Sequence, residues 1–173
     1  MQTEEKLLTD ALTDLETGKT YCFVCTGNTC RSPMAAAVLN RYGEGHGVRA
    51  VSRGISAEVG APISENAAKA LAAAGILPVG ANDYTRHRAA QLTEDDLARF
   101  DGIFALTPAH AQAILFAFPA YAGKIRVLGS VSDPFGGDEK RYADCLAEII
   151  AALKEIFPSL FSENADGEKP DAD

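Results

Sequence analysis

Short apolar, β-rich runs alternate with helix-patterned segments along this chain, and that alternation limits the possible folds more than any other feature. Thr20–Val24 (TYCFV) is aromatic and β-branched, as a buried strand should be. Further strands are expected at Val48–Ser52, Gly102–Leu106 and Lys124–Leu128. The intervening helices are expected at Met34–Tyr42, at Ser64–Ala74 with Ser64 as N-cap and Gly75 as stop, at Thr93–Arg99, and at Pro108–Phe118. A last helix should run from about Arg141 to Phe157, while Leu77–Ala90 reads as irregular and polar. Strand and helix in alternation predict a three-layer α/β fold: a small four-stranded parallel sheet with helices on both faces. Ligands of such folds sit at the carboxyl ends of the strands. The segments after the first and fourth strands both fall there.

Composition sets the outer limits. The 173 residues fit one domain, and 47% hydrophobic residues can fill an ordinary core. A net charge of −8 argues against a general nucleic-acid binder. No apolar run reaches the roughly 18–20 residues of a membrane span. The opening MQTEEKLLTD is acidic and has no apolar core segment, so no secretory signal is expected. A cytoplasmic setting follows, with the four cysteines reduced. Residues 1–19 are expected to form a helical extension, with Leu7, Leu8, Ala11, Leu12 and Leu15 on one face. Residues 20–161 should form the main domain, and the acidic stretch 162–173 should be a disordered tail.

The chemistry concentrates in CTGNTCRSP, directly after the first strand. Cys25 ends the strand, and five residues separate it from Arg31. Ser32 is a suitable N-cap and Pro33 a suitable first helical residue. Gly27 permits left-handed backbone, and Asn28 tolerates it better than most residues. A tight loop of inward N–H groups at a helix N-terminus forms an anion site. Arg31 can hold two phosphoryl oxygens at once. The same field favours a thiolate at Cys25. The predicted result is a nucleophile inside a phosphate cradle.

Cys-x5-Arg-Ser between strand and helix, with a late Asp133-Pro134-Phe135, resembles the low-molecular-weight protein tyrosine phosphatase family. The resemblance spans roughly Thr20 to Phe157. CTGNTCRS together with DPFGG is most similar to the bacterial protein arginine phosphatase branch. Tyrosine-specific members usually carry a bulky aliphatic residue where this chain has Thr29, and a tyrosine pair where it has Phe135 and Gly136. The resemblance implies that Cys25 attacks phosphorus, that Arg31 and the loop from Thr26 through Cys30 hold the phosphoryl oxygens, and that Asp133 acts as general acid and then base. Ser32 would hydrogen-bond the thiolate, Asn28 would brace the loop with His87, and Phe135 would line the substrate. No metal or other cofactor is called for. The partners would be phosphorylated proteins, met by a monomer or weak homodimer.

Several alternatives stay open at this stage. A tyrosine phosphatase would use the same chemistry. An arsenate reductase on this fold would need a further cysteine pair in mid-chain, and no cysteine lies between Cys30 and Cys145. A carrier domain would not need Arg31. A silent phosphate-binding module would lack the nucleophile and the acid. Cys22 and Cys25 form a C-x-x-C, but within a strand Cys22 reads as core, as does Cys145 on the last helix. Cys30 shares the loop with Cys25, which makes an oxidative Cys25–Cys30 disulfide conceivable.

Overall fold

The structure, a computed structural model, describes residues 18–162. The expected N-terminal helix and the acidic tail beyond residue 162 lie outside the described residues. Strands β1 (Lys19–Cys25), β2 (Val48–Gly54), β3 (Gly102–Ala105) and β4 (Ile125–Val127) form one sheet in the order β2-β1-β3-β4. All pairings are parallel: Tyr21 stands opposite Ala50 and Gly102, and Phe104 opposite Arg126. Every strand therefore ends at the same edge.

The helices are α1 (Arg31–Tyr42), α2 (Glu65–Ala73), α3 (Glu94–Arg99), α4 (Pro108–Ala117), α5 (Glu139–Ile156) and α6 (Pro158–Ser162). Period-two alternation along β1 sends its side chains to two cores. Tyr21, Phe23 and Cys25 face α1, α2 and α5; Cys22 and Val24 face α3 and α4. Tyr21, Phe104 and Phe157 pack edge-on or tilted, with ring centroids 5.2–6.0 Å apart. Truncating a buried Phe at such a site costs about 3–5 kcal/mol. Cys22 and Cys25 lie on opposite faces of one strand, so they form no redox pair. Burial pushes the Cys22 thiol up to about 12.

The helix starts follow their local chemistry. Ser64 caps α2 by accepting from the Ala67 N–H, and Gly75 ends that segment at φ +80°. Thr93 and Asp96 form a reciprocal capping box on α3. Helix α1 departs from expectation. Its N-cap is Cys30, and Ser32 and Pro33 are its second and third residues. Proline is tolerated there because first-turn N–H groups have no intrahelical acceptor. The short helix α6 was not anticipated; Leu160 buries it against the core behind Phe157.

Candidate active site

The loop between β1 and α1 is held from outside through its carbonyls. Ile55 N–H donates to Cys25 O at 3.0 Å and Ser56 N–H to Thr26 O at 2.9 Å. His87 Nε2–H donates to Asn28 O at 2.7 Å, and Ser64 N–H to Thr29 O at 2.9 Å. In a trans peptide, C=O and N–H point opposite ways. Four carbonyls turned into the scaffold thus turn the N–H groups of Thr26, Gly27, Thr29 and Cys30 toward the concave side. The first turn of α1 adds its own unpaired N–H groups and positive potential. The geometry is that of an anion nest.

Asn28 supplies the kink. Its φ is +58°, and it is the one non-glycine residue with positive φ among the described residues. Of the two residues expected to tolerate left-handed backbone, Asn28 adopts it and Gly27 does not. Asn28 is fully buried, and its side chain is committed at both ends. Nδ2 donates to Ser32 Oγ at 2.9 Å, while Oδ1 accepts from Ala90 N–H at 2.9 Å. Ser32 Oγ lies 2.9 Å from Cys25 Sγ. Ser32 Oγ accepts from Asn28 and also donates to Arg53 O at 3.3 Å, so its hydroxyl is shared between that carbonyl and the sulfur. That explains why Ser32 is no N-cap: its hydroxyl is taken up among Asn28, Arg53 O and the Cys25 sulfur.

Arg31 reaches back from the first residue of α1. Its guanidinium is almost wholly buried; Nη1 donates to Val131 O at 3.2 Å, and Nη2 lies 3.7 Å from Asp133 Oδ2. The loop and Asp133 thus meet across one cation. The Asp133 side chain is 59% exposed, and its Oδ1 accepts from the Phe135 N–H at 3.1 Å. Phe135 is 76% exposed beside it. Thr29 is half-buried, with Oγ1 3.6 Å from Cys30 Sγ. Cys30 is buried against Ser64 Oγ and Tyr142 Oη, at 3.7 and 3.3 Å. Burial lowers the His87 pKa below its ordinary value, partly offset by its bond to Asn28. Among the described residues, no cluster of His, Cys, Asp and Glu could hold a metal ion.

The structure also brings in residues that sequence reasoning missed. Gly54 is required because a Cβ there would lie 2.6 Å from Thr26 O and 3.2 Å from Asn28 Cβ. A glycine ending a strand is a sequence cue for such close approach. Glu148 on α5 accepts from Ser132 N–H at 2.9 Å and from Ser132 Oγ at 2.7 and 2.8 Å, one residue before Asp133. Cys145 donates to Ser132 O at 3.4 Å. His110 on α4 contacts Thr26 Oγ1 at 2.9 Å. No local pattern flags Glu148 or His110; their partners are 16 and 84 residues away.

Comparison with known proteins agrees with this geometry. A family described as "Low molecular weight phosphotyrosine protein phosphatase" matches residues 20–166. A protein-arginine-phosphatase of Geobacillus stearothermophilus is 33% identical over 149 residues, covering 82% of this chain and 95% of the relative. A probable low molecular weight protein-tyrosine-phosphatase of Ralstonia nicotianae is 38% identical over 147 residues, covering 82% and 96%. The solved structure of the arginine phosphatase YwlE from Geobacillus stearothermophilus superposes with a TM-score of 0.74 at 31% identity, over 88% of this chain and 99% of that one. The chain belongs to the low molecular weight phosphotyrosine protein phosphatase family, and with it to the cysteine-dependent phosphatases.

Proposed function

We propose that this protein hydrolyses phosphoarginine in proteins through a phosphocysteine intermediate. The observation that carries the reading is the set of four outward carbonyls around Cys25, which leaves a ring of N–H groups for a phosphoryl group. Cys25 sulfur attacks phosphorus, the S–P bond forms, and the P–N bond to the guanidino nitrogen breaks. Asp133 delivers its proton to that nitrogen. Water then attacks phosphorus, Asp133 takes its proton, and the S–P bond breaks to release inorganic phosphate and the Cys25 thiolate. Arg31 and the loop amides stabilise the equatorial oxygens. Ser32 donates to the sulfur, and Asn28 and His87 keep the loop in shape.

Thr29 and Phe135 support arginine as the substrate side chain. Thr29 offers a hydroxyl where a bulky aliphatic residue would suit an aromatic ring, and the relatives at 33% identity include protein-arginine-phosphatases. The exposed Phe135 gives the side chain an apolar wall. The enzyme acts in the cytoplasm on phosphorylated proteins, as a monomer or weak homodimer, without nucleic acid or membrane. No described helix is long and apolar enough to cross a membrane.

Phosphotyrosine is the second reading, favoured by the Ralstonia relative at 38% identity. Side-by-side turnover of phosphoarginine and phosphotyrosine peptides separates the two. Thr29→Ile is expected to lower kcat/KM for phosphoarginine about tenfold or more, because a polar group left unpaired in a closed site costs about 1–3 kcal/mol. Phosphotyrosine turnover should hold or rise. A wild type that prefers phosphotyrosine, or a mutant losing both activities in parallel, moves the assignment to tyrosine.

A further inference from the structure

His110 lies in the first turn of α4, buried, with each ring nitrogen on a hydroxyl. Nδ1 is 2.9 Å from Thr107 Oγ1, and Nε2 is 2.9 Å from Thr26 Oγ1. Thr26 directly follows Cys25 and is the exposed residue of the loop. It is gripped from two sides: Ser56 holds its carbonyl and His110 its hydroxyl.

The direction of the donors is set by the tautomer of the ring. Thr107 is the N-cap of α4, and its Oγ1 accepts the His110 backbone N–H at 3.3 Å. Burial, and after it the Arg31 charge, lower the imidazole pKa, with Asp133 acting the other way. A neutral ring has one donor and one acceptor nitrogen. With Thr107 O–H donating to Nδ1, Nε2–H donates to Thr26 Oγ1, and the Thr26 proton is left for the cleft. The opposite tautomer consumes the Thr26 proton and leaves the proton of the half-buried Thr107 over instead. The first arrangement places the spare proton on Thr26, at the end of a polarised chain beside the anion site, where a bound phosphoryl oxygen can accept it.

We propose that His110 is a positioning residue that makes the Thr26 hydroxyl a further donor to the bound phosphoryl group. This rests on the loop being a phosphoryl cradle. Its partner is the phosphoryl oxygen itself, whichever side chain carries it.

Orthovanadate affinity, measured on the full chain by competition, is the test. Thr26→Val should weaken vanadate about five- to tenfold, as expected for a lost hydrogen bond to a charged group, while Thr26→Ser stays within about twofold of wild type. His110→Leu should match Thr26→Val, and the double variant should be no worse than either single one. His110→Gln, whose amide can reach the Nε2 position, should recover most of the loss. A merely structural histidine would not be rescued in this way. Should His110→Leu fail to fold, His110→Asn, too short to reach Thr26, should show the same loss. Wild-type vanadate affinity in Thr26→Val, or losses that multiply in the double variant, overturn the proposal. A wild type that binds no vanadate refutes the cradle instead, so the two failures are distinguishable.

Discussion

The two halves of the site are built on opposite terms. The phosphate loop is part of the core: Cys25, Asn28, Cys30, Arg31 and Ser32 are all buried, and their neighbours are tied to the 54–56 segment, α2, His87 and Ala90. The acid loop stands in solvent. Asp133 and Phe135 are exposed, and the segment is fastened just before them, at Val131 to Arg31 and at Ser132 to α5. The cradle must present fixed donors to a charge that develops in one place, so it gains from a rigid setting. In the proposed mechanism Asp133 approaches leaving groups of different shapes and exchanges a proton with water, and it sits where water reaches.

If that division is real, breaking the buried half should remove chemistry outright. Cys25→Ser is expected to lower kcat by about 10⁴-fold or more while the fold survives and still binds phosphate or vanadate. Activity within a few-fold of wild type would remove Cys25 from the mechanism.

Breaking the exposed half should cost less, and by an amount set by the substrate. Asp133→Asn should reduce phosphoarginine turnover by about 10²–10³-fold, in the usual range for a general acid. A neutral guanidine is a very basic leaving group, with a conjugate acid above about 12, whereas a phenol titrates near 10. The loss on an activated aryl phosphate should therefore be much smaller. Equal losses on all substrates would make Asp133 a loop-positioning group.

The buried half also carries a pH signature. His87 and His110 both have lowered pKa values, chiefly through burial. On acidification the unfolded chain takes up these protons first, near the ordinary histidine value of about 6.5. The unfolded state then binds more protons, so stability is present above about pH 6.5 and is lost as pH falls through the native values. Thermal melts at pH 7.5 and 5.0 should show this drop, and His87→Gln should flatten it. An unchanged pH slope in that variant would mean that His87 is not differentially protonated.

The same division governs what could be read from sequence. The sheet, most of the helices and the Cys25-to-Ser32 loop were legible because strand period, caps and the strand–loop–helix arrangement are local signals. Where a tertiary partner claims a side chain, the local signal falls short. Asn28 was readable, with Gly27, as tolerant of left-handed backbone, but not the placing of its side chain between Ser32 and Ala90. Ser32 looked like a cap, but Asn28, Arg53 O and the nearby thiol take up its hydroxyl. Gly54, Glu148 and His110 act across the fold, through contacts that exist only once the strands have aligned.

Glu148 offers the finest test of the comparison, because it touches the acid loop and nothing in the cradle. Its carboxylate takes both the N–H and the hydroxyl of Ser132, on an exposed face of α5. Exposed hydrogen bonds of this kind contribute about 0.5–1.5 kcal/mol each at most, so Glu148→Ala should leave the melting temperature within a few degrees of wild type. What it should change is the placing of Asp133. Freed at Ser132, the acid spends less time in line with the leaving group, and misplacement far from the reacting atoms still slows chemistry. The expected outcome is a three- to tenfold lower kcat on phosphoarginine, about as estimated for one lost positioning bond, with vanadate affinity and aryl phosphate turnover nearly unchanged. In an Asp133→Asn background the Glu148→Ala effect should disappear, since there is no acid left to position. A parallel loss of vanadate affinity would show that α5 supports the cradle as well, and the two halves would then have to be treated as one.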